Sequence, residues 1–121
     1  MRFPLNQKKR AYLKGHYGEK IAAFYLRLKG YEILEKRFKT PVGEIDLLAR
    51  KGKTLVAIEV KSRSTLEAAA VALTSFQQQR IEKALLYYLK RKPSPLDLRF
   101  DVVLISSWKW PYHIRGAWLS Q

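Results

Sequence analysis

The order of apolar patterns along the chain predicts an α/β fold with a mixed central β-sheet flanked by helices. Two long segments, residues 11–29 and 76–90, repeat apolar side chains at the helical period. Shorter segments between and after them alternate apolar and polar residues, or run apolar, as strands do. The order helix, three strands, helix, strand is typical of helices packed against one sheet.

The first helix is predicted at residues 11–29, and Gly30 follows as a helix stop. Bulky apolar side chains recur along one side of this segment, among them Tyr17, Phe24 and Leu28. Because a helix of a globular domain buries its apolar side, we expect this stripe to face the core.

Glu19 has two interpretations. It lies opposite the bulky stripe, next to Ala22 and Ala23, and this position favours a solvated surface acid. Alternatively, the small alanines let this side of the helix approach the sheet, and Glu19 is then a further metal ligand.

The central feature of the chain is a predicted β-hairpin, in which two apolar runs flank the turn-like segment Lys51-Gly52-Lys53. If Gly52 and Lys53 form a two-residue loop, Asp46 on the first strand lies directly opposite Glu59 on the second. The Cβ atoms of such a pair are only about 4.5–5.5 Å apart, and like charges there destabilise a sheet.

Asp46, Glu59 and Lys61 are therefore candidates for a shared chemical role. Glu59 and Lys61 point the same way, because side chains alternate along a strand. A divalent cation would turn the repulsion between the two carboxylates into attraction. An acid followed by Glu-x-Lys on the next strand suits metal-dependent phosphodiester cleavage, with the Lys positioning water or stabilising negative charge. The other interpretation is an exposed hairpin with a cross-strand Glu–Lys pair.

The second helix is predicted at residues 76–90, with Ser75 and Gln78 as its capping box. Its first turn is polar and contains Gln78 and Arg80. Since helix N-termini attract anions, this turn is a candidate phosphate contact, although ordinary capping and solvation also explain it.

Two further strands are predicted, at residues 31–38 on the edge of the sheet and at residues 98–105. Asp101 sits in the apolar run of the second and needs a buried partner such as an Arg or a backbone donor, so we interpret it as structural. The C-terminus is rich in aromatic side chains, namely Trp108, Trp110, Tyr112 and Trp118. Such rings suit base stacking, but they more commonly serve packing.

Composition limits the classes of function. The formal net charge of the 121 residues is +14, which favours a polyanion such as nucleic acid as partner. The chain has no Cys, no run of about 18 apolar residues and no secretory h-region, so we expect a cytoplasmic protein without a membrane partner. Residues 1–11 are predicted to be a mobile basic arm bearing Lys8, Lys9 and Arg10, followed by a single domain at residues 12–121.

Five motifs in this order and spacing resemble one family: GHYGEKIAAFYL, VGEIDLLAR, LVAIEVKSR, QQRIEKALLYYL and RFDVV. Together they look like the YraN-like family of small bacterial proteins, over about residues 12–118. That family is similar to archaeal Holliday-junction resolvases and to the wider restriction-endonuclease-like, PD-(D/E)XK, superfamily.

The resemblance implies a restriction-endonuclease-like fold and a Mg²⁺ or Mn²⁺ cofactor. It implies Asp46 and Glu59 as metal ligands, Lys61 as catalytic lysine and Glu19 as the helix-borne acid. It also makes Arg50, Arg63 and Arg80 candidates for phosphate contacts. By analogy with the resolvases, it suggests a homodimer.

Three functions remain open from the sequence. The first is a metal-dependent endonuclease acting on DNA, with branched DNA as one substrate class. The second is a nucleic-acid-binding protein that keeps the nuclease fold without turnover. The third is a basic structural partner in a larger assembly.

Overall fold

A computed structural model describes residues 7–62, 73–94, 96–106 and 109–119 and has the predicted α/β architecture. Within this part of the chain, no helix is both long and apolar enough to span a membrane. The helices and strands are α1 (Gln7–Leu28), β1 (Glu32–Thr40), β2 (Gly43–Lys51), β3 (Thr54–Ser62), α2 (Ser75–Arg91), β4 (Asp97–Ile105) and β5 (Tyr112–Ile114).

The five strands form one mixed sheet in the order β1-β2-β3-β4-β5. Strands β3 and β4 are parallel, with α2 between them in the chain, and the other neighbours are antiparallel. The arrangement agrees with the restriction-endonuclease-like fold. β1 lies at one edge, as predicted, whereas the short β5 at the other edge was not predicted from the aromatic C-terminal segment.

The two helices build separate cores on the sheet. Residues of α1 pack with Leu47, Val56 and Ile58 in one cluster, while residues of α2 pack with Leu48 and Leu55 in the other. Alternation along β2 and β3 explains the division, because neighbouring side chains point to opposite faces. The sequence correctly predicted the apolar side of α2, which contributes Ile81, Ala84, Leu85, Tyr88 and the partly buried Leu89.

The prediction for the buried side of α1 was wrong. Tyr17, Phe24 and Leu28 are 68%, 63% and 65% exposed, whereas Ala22 and Ala23 are buried. Both sides of this helix are apolar, so periodicity alone could not choose between them. The side with small side chains is buried because it lets the helix approach the sheet closely. This close approach is the one that the second interpretation of Glu19 requires.

Two helix boundaries also differ from prediction. α1 begins at Gln7, so the last residues of the predicted basic arm are helical. The capping box of α2 is formed by Thr74 and Gln77, one residue earlier than predicted, and the Thr74 hydroxyl accepts a hydrogen bond from the Gln77 N–H at 3.2 Å. Both Thr and Ser suit an N-cap, which is why the sequence could not separate the two registers.

Candidate active site

The β2–β3 hairpin has the predicted register. Gly52 and Lys53 form the two-residue turn between Lys51 and Thr54, which pair with each other, and Gly52 adopts a φ of 58°. The paired residues continue as far as Leu47 opposite Ile58. The same register brings the following pair, Asp46 and Glu59, to the end of the ladder.

Asp46 lies where β2 and β3 cease to pair, and its carboxylate takes over the role of the missing backbone acceptor. Asp46 Oδ2 accepts a hydrogen bond from the Val60 N–H at 2.8 Å. A buried N–H without an acceptor is costly, so this contact fixes the carboxylate beside β3.

The Asp46 and Glu59 carboxyls are coupled and poorly solvated. Burial and then the Glu59 charge raise the pKa of Asp46 to about 8, against the opposing hydrogen bond from Val60, and Glu19 raises it further. Burial also raises the pKa of Glu59, although Lys61 opposes that shift. A hydrogen bond between the two carboxyls raises the pKa of Asp46 and lowers that of Glu59.

Lys61 stands next to this pair, as its position two residues after Glu59 predicts. Its Nζ lies 3.2 Å from Glu59 Oε1, and its side chain is only 9% exposed. The same Nζ donates to Gln77 Oε1 at 3.4 Å, so the first turn of α2 helps to orient it. A buried ammonium held by one carboxylate and one amide is well placed to meet a second negative group.

Glu19 reaches this region from α1. The backbone of the helix comes so close to β3 at Gly18 that an added Cβ would overlap the Ser62 hydroxyl. Glu19 Oε2 accepts a hydrogen bond from Arg37 Nε at 2.6 Å. Arg37 adopts a φ of 49°, a left-handed conformation that is uncommon outside glycine and is concentrated at functional sites.

A cleft of about 140 Å³ opens between α1 and the β1–β2 hairpin. Its walls carry charges of both signs: the acids come from α1 and β2, and the cations come from β1. The lining residues are Glu19, Arg37, Lys39, Glu44, Ile45 and Asp46.

Arg37, Lys39 and Gln77 were not among the predicted site residues. A signal for the first two existed in the sequence, because Pro41 and Gly43 suit a tight turn between two strands. The structure pairs Thr40 with Gly43 and Phe38 with Ile45, and this register carries Arg37 toward Asp46. For Gln77, the one-residue shift of the capping box hid the contact with Lys61.

Several predicted phosphate contacts are not brought to this cleft. Arg50 is exposed near the hairpin turn and donates to the Gly52 carbonyl at 3.0 Å. The Arg80 guanidinium lies over the Phe76 ring, 6.0 Å from its centroid. Gln78 is partly buried in the first turn of α2.

Four other predicted contacts cannot be placed in the same way. Arg63 falls outside the residues that the structure describes. Lys8, Lys9 and Arg10 belong to the first turns of α1, and their side chains lie outside the described part. Their roles toward phosphate stay predictions.

The carboxylates match a divalent cation only in part. Among the described residues, no group of three or more His, Cys, Asp or Glu side chains is arranged to hold a metal ion. Asp46 and Glu59 offer oxygen ligands of the kind that Mg²⁺ and Mn²⁺ prefer. Burial is the largest cause of their raised pKa values, and Lys61 opposes that shift at Glu59 alone. Glu19 is already bound to Arg37.

Comparison with known proteins places the chain in one family. The family described as "Uncharacterised protein family UPF0102" matches residues 18–105. The chain is 47% identical to the UPF0102 protein of Chelativorans sp. (strain BNC1) over 116 residues, which cover 94% of both chains. It is 50% identical to the UPF0102 protein of Parvibaculum lavamentivorans over 110 residues, which cover 89% of this chain and 83% of the relative. The chain therefore belongs to the UPF0102 family, which is the YraN-like family that its motifs resemble.

Proposed function

We propose that this protein is a metal-dependent endonuclease acting on DNA, with branched DNA as a candidate substrate. The observation that carries the proposal is the half-buried Asp46–Glu59 pair with Lys61 at 3.2 Å from Glu59. Two adjacent, half-buried carboxyls oppose folding, because burial and the Glu59 charge make ionisation of Asp46 harder. Such strain at the end of a sheet is typical of a site built for a ligand.

Each residue has a distinct role in this proposal. Asp46 and Glu59 would hold Mg²⁺ or Mn²⁺, and the bound ion would polarise a phosphate and acidify a water. Lys61 would donate hydrogen bonds to the negative charge that develops on the phosphate, because its ammonium is buried and already oriented by Gln77. The net charge of +14 would attract the polyanionic substrate.

A cleavage assay tests the assignment. Duplex, single-stranded and four-way-junction DNA are incubated with the protein in Mg²⁺, Mn²⁺ or chelator. Asp46→Asn and Lys61→Gln should each lower metal-dependent cleavage at least about 100-fold, the usual scale for losing a charge-stabilising group. Asn at position 46 keeps an acceptor for the Val60 N–H, so lost activity would not reflect a lost backbone hydrogen bond.

Lys53→Gln is the matched control, because Lys53 is an exposed lysine in the hairpin turn. It should cleave like the wild type. Cleavage that persists equally in Asp46→Asn and Lys61→Gln would show that a contaminant or another site is responsible.

A non-catalytic nucleic-acid-binding protein is the second candidate, and the Arg37–Glu19 contact favours it. That 2.6 Å ion pair ties up the carboxylate that would complete a three-acid site. This function predicts binding to nucleic acid that weakens steeply as salt rises, with intact substrate in both metal and chelator.

A further inference from the structure

A cluster of cations surrounds Tyr31 near the C-terminal end of α1. Lys51 Nζ and Arg99 Cζ lie 4.9 Å and 5.9 Å from the centroid of the Tyr31 ring. Arg99 also donates to the Tyr31 hydroxyl at 2.6 Å. The His113 ring meets the same tyrosine edge-on, with centroids 5.6 Å apart, and Lys29 contacts His113. We call these residues, together with Arg115, the Tyr31 patch.

Asp101 holds two residues of the patch, Arg99 and His113, in place. Its fully buried carboxylate accepts hydrogen bonds from Arg99 Nε at 2.9 Å and Nη2 at 2.8 Å, and from the Gly116 N–H at 3.0 Å. His113 Nε2 lies 2.7 Å from the same carboxylate. The charge of Asp101 is thus already satisfied by Arg99 and His113.

His113 holds Lys29 in place. Lys29 Nζ lies 2.7 Å from His113 Nδ1. A lysine ammonium has donors and no acceptor, so Nδ1 is the acceptor and Nε2–H donates to Asp101. One ammonium N–H is used in this contact, and among the described residues no hydrogen bond is shown for the other two.

The cations of the patch exceed the acids that neutralise them. Within the side chains that the structure describes, no carboxylate forms a salt bridge with Lys29, Lys51 or Arg115. Burial, and then the positive charges of Arg115 and Lys51, lower the pKa of Lys29. Positive charges held this close are relieved by an anion that bridges them.

An exposed aromatic ring adjoins these cations. Trp110 is 80% exposed, and its ring lies 6.5 Å from that of Tyr25, measured between centroids. Lys29 Nζ is 5.2 Å from the centroid of the same Tyr25 ring. Proteins that bind single-stranded nucleic acids combine exposed aromatic rings with cations, because bases stack on the rings while the phosphates contact the charges.

We propose that the Tyr31 patch and Trp110 bind an unpaired nucleic-acid strand. Lys29, Lys51 and Arg115 contact its phosphates, and a base stacks on Trp110, which Tyr25 supports from the helix. Lys29 directly follows α1 and comes ten residues after Glu19, or about 15 Å at the helical rise. A strand held at this patch therefore reaches Glu19, which lines the same cleft as Asp46, within a few nucleotides.

The inference shares with the proposed function a nucleic-acid substrate, but it does not require cleavage. The test is therefore binding in chelator, where metal-dependent cleavage is absent. A fluorescein-labelled oligo-dT strand is titrated with the full chain by anisotropy at several salt concentrations. Trp110→Ala should weaken binding roughly 5- to 100-fold, the range that loss of one stacked base produces. Lys29→Gln, Lys51→Gln and Arg115→Gln should each make the slope of log affinity against log salt less negative, by about 0.7 per lost phosphate contact.

Two matched variants control for aromatic surface and charge. Phe24→Ala removes another exposed ring of α1, and Lys83→Gln removes an exposed lysine of α2. Both should bind like the wild type. Melting temperatures near that of the wild type are expected for Trp110→Ala, because so exposed a ring contributes little to the core.

Several outcomes overturn the inference. The inference is wrong if the wild-type protein binds no strand in chelator. It is also wrong if Trp110→Ala binds the strand within twofold of the wild-type affinity. An equal loss of binding in Phe24→Ala would show that the effect is not specific to Trp110. A change in oligomeric state in Trp110→Ala without a change in binding would assign this face to a protein contact. If the wild type cleaves DNA and the patch variants bind the strand as well as the wild type, this inference alone is refuted. If the patch binds the strand as expected but the wild type cleaves nothing, only the proposed nuclease activity is refuted.

Discussion

Two aspartates of the sheet, the buried Asp101 and the half-buried Asp46, meet opposite electrostatic surroundings. Burial by itself would raise the pKa of Asp101, but the hydrogen bonds from His113, Arg99 and the Gly116 N–H outweigh burial and lower it. Asp46 has one backbone donor and a neighbouring carboxyl, and its pKa rises to about 8. The sequence correctly predicted an Arg and a backbone donor as partners of Asp101, because an acid inside an apolar strand must find donors.

Asp46 should make the stability of the protein depend on pH. Its pKa in the folded state lies far above the unfolded value of about 3.9, so the folded state binds the proton more tightly. The associated stability is complete below the unfolded pKa and is lost as the pH rises through about 8. Between pH 5 and pH 9, the melting temperature of the wild type should fall by several degrees more than that of Asp46→Asn.

Thermal unfolding in chelator at several pH values measures this difference. Asp46→Asn should be as stable as the wild type or more so at high pH, since it keeps an acceptor for Val60 and removes the repulsion. Asp46→Ala is the control for the hydrogen bond and should be less stable than Asp46→Asn. If Asp46→Asn were much less stable than the wild type, Asp46 would be a structural partner and the site would lose its main support.

The elements differ in how far local sequence determines them. The β2–β3 hairpin was predictable in register because a two-residue turn and alternating side chains leave little freedom. The orientation of α1 was not predictable from periodicity, because Tyr17 and Phe24 suggested one face while Ala22 and Ala23 form the buried one. Small residues signal close approach only when the opposing surface is known, and that surface comes from strands far away in the chain.

The close approach of α1 to β3 predicts a specific double-mutant result. Gly18→Ala should destabilise the protein by roughly 1–3 kcal/mol, as overpacking does, because the added methyl overlaps the Ser62 hydroxyl. Adding Ser62→Ala removes that oxygen and leaves a contact of 3.5 Å to the Ser62 Cβ, so the double variant should recover most of the loss. Urea unfolding of both single variants and the double variant measures the coupling. A Gly18→Ala variant more stable than the wild type would mean that helix propensity, worth about 1 kcal/mol here, outweighs the contact.

The candidate site and the Tyr31 patch both depend on contacts that join distant parts of the chain. His113 reaches Asp101 only because β5 pairs with β4, and β4 lies parallel to β3. In the sequence, His113 stood alone and the aromatic C-terminus had no assigned partner. Neither the histidine–aspartate contact nor the lysine it orients could therefore be predicted, whereas Asp46, Glu59 and Lys61 could, since one hairpin brings them together.

Binding of a divalent ion should raise the stability of the whole molecule if the candidate site holds it. An ion that binds only the folded state adds about 2.7 kcal/mol when its concentration is 100 times its dissociation constant. We therefore expect Mg²⁺ and Mn²⁺ each to raise the melting temperature of the wild type by several degrees above its value in chelator. Mn²⁺ should act at lower concentration, as first-row transition ions usually bind oxygen and nitrogen ligands more tightly. Asp46→Asn should lose this shift, while Asp97→Asn, which alters an exposed acid at the start of β4, should keep it. An equal shift in the wild type and Asp46→Asn would place the ion elsewhere on the protein and remove metal binding from the Asp46–Glu59 pair.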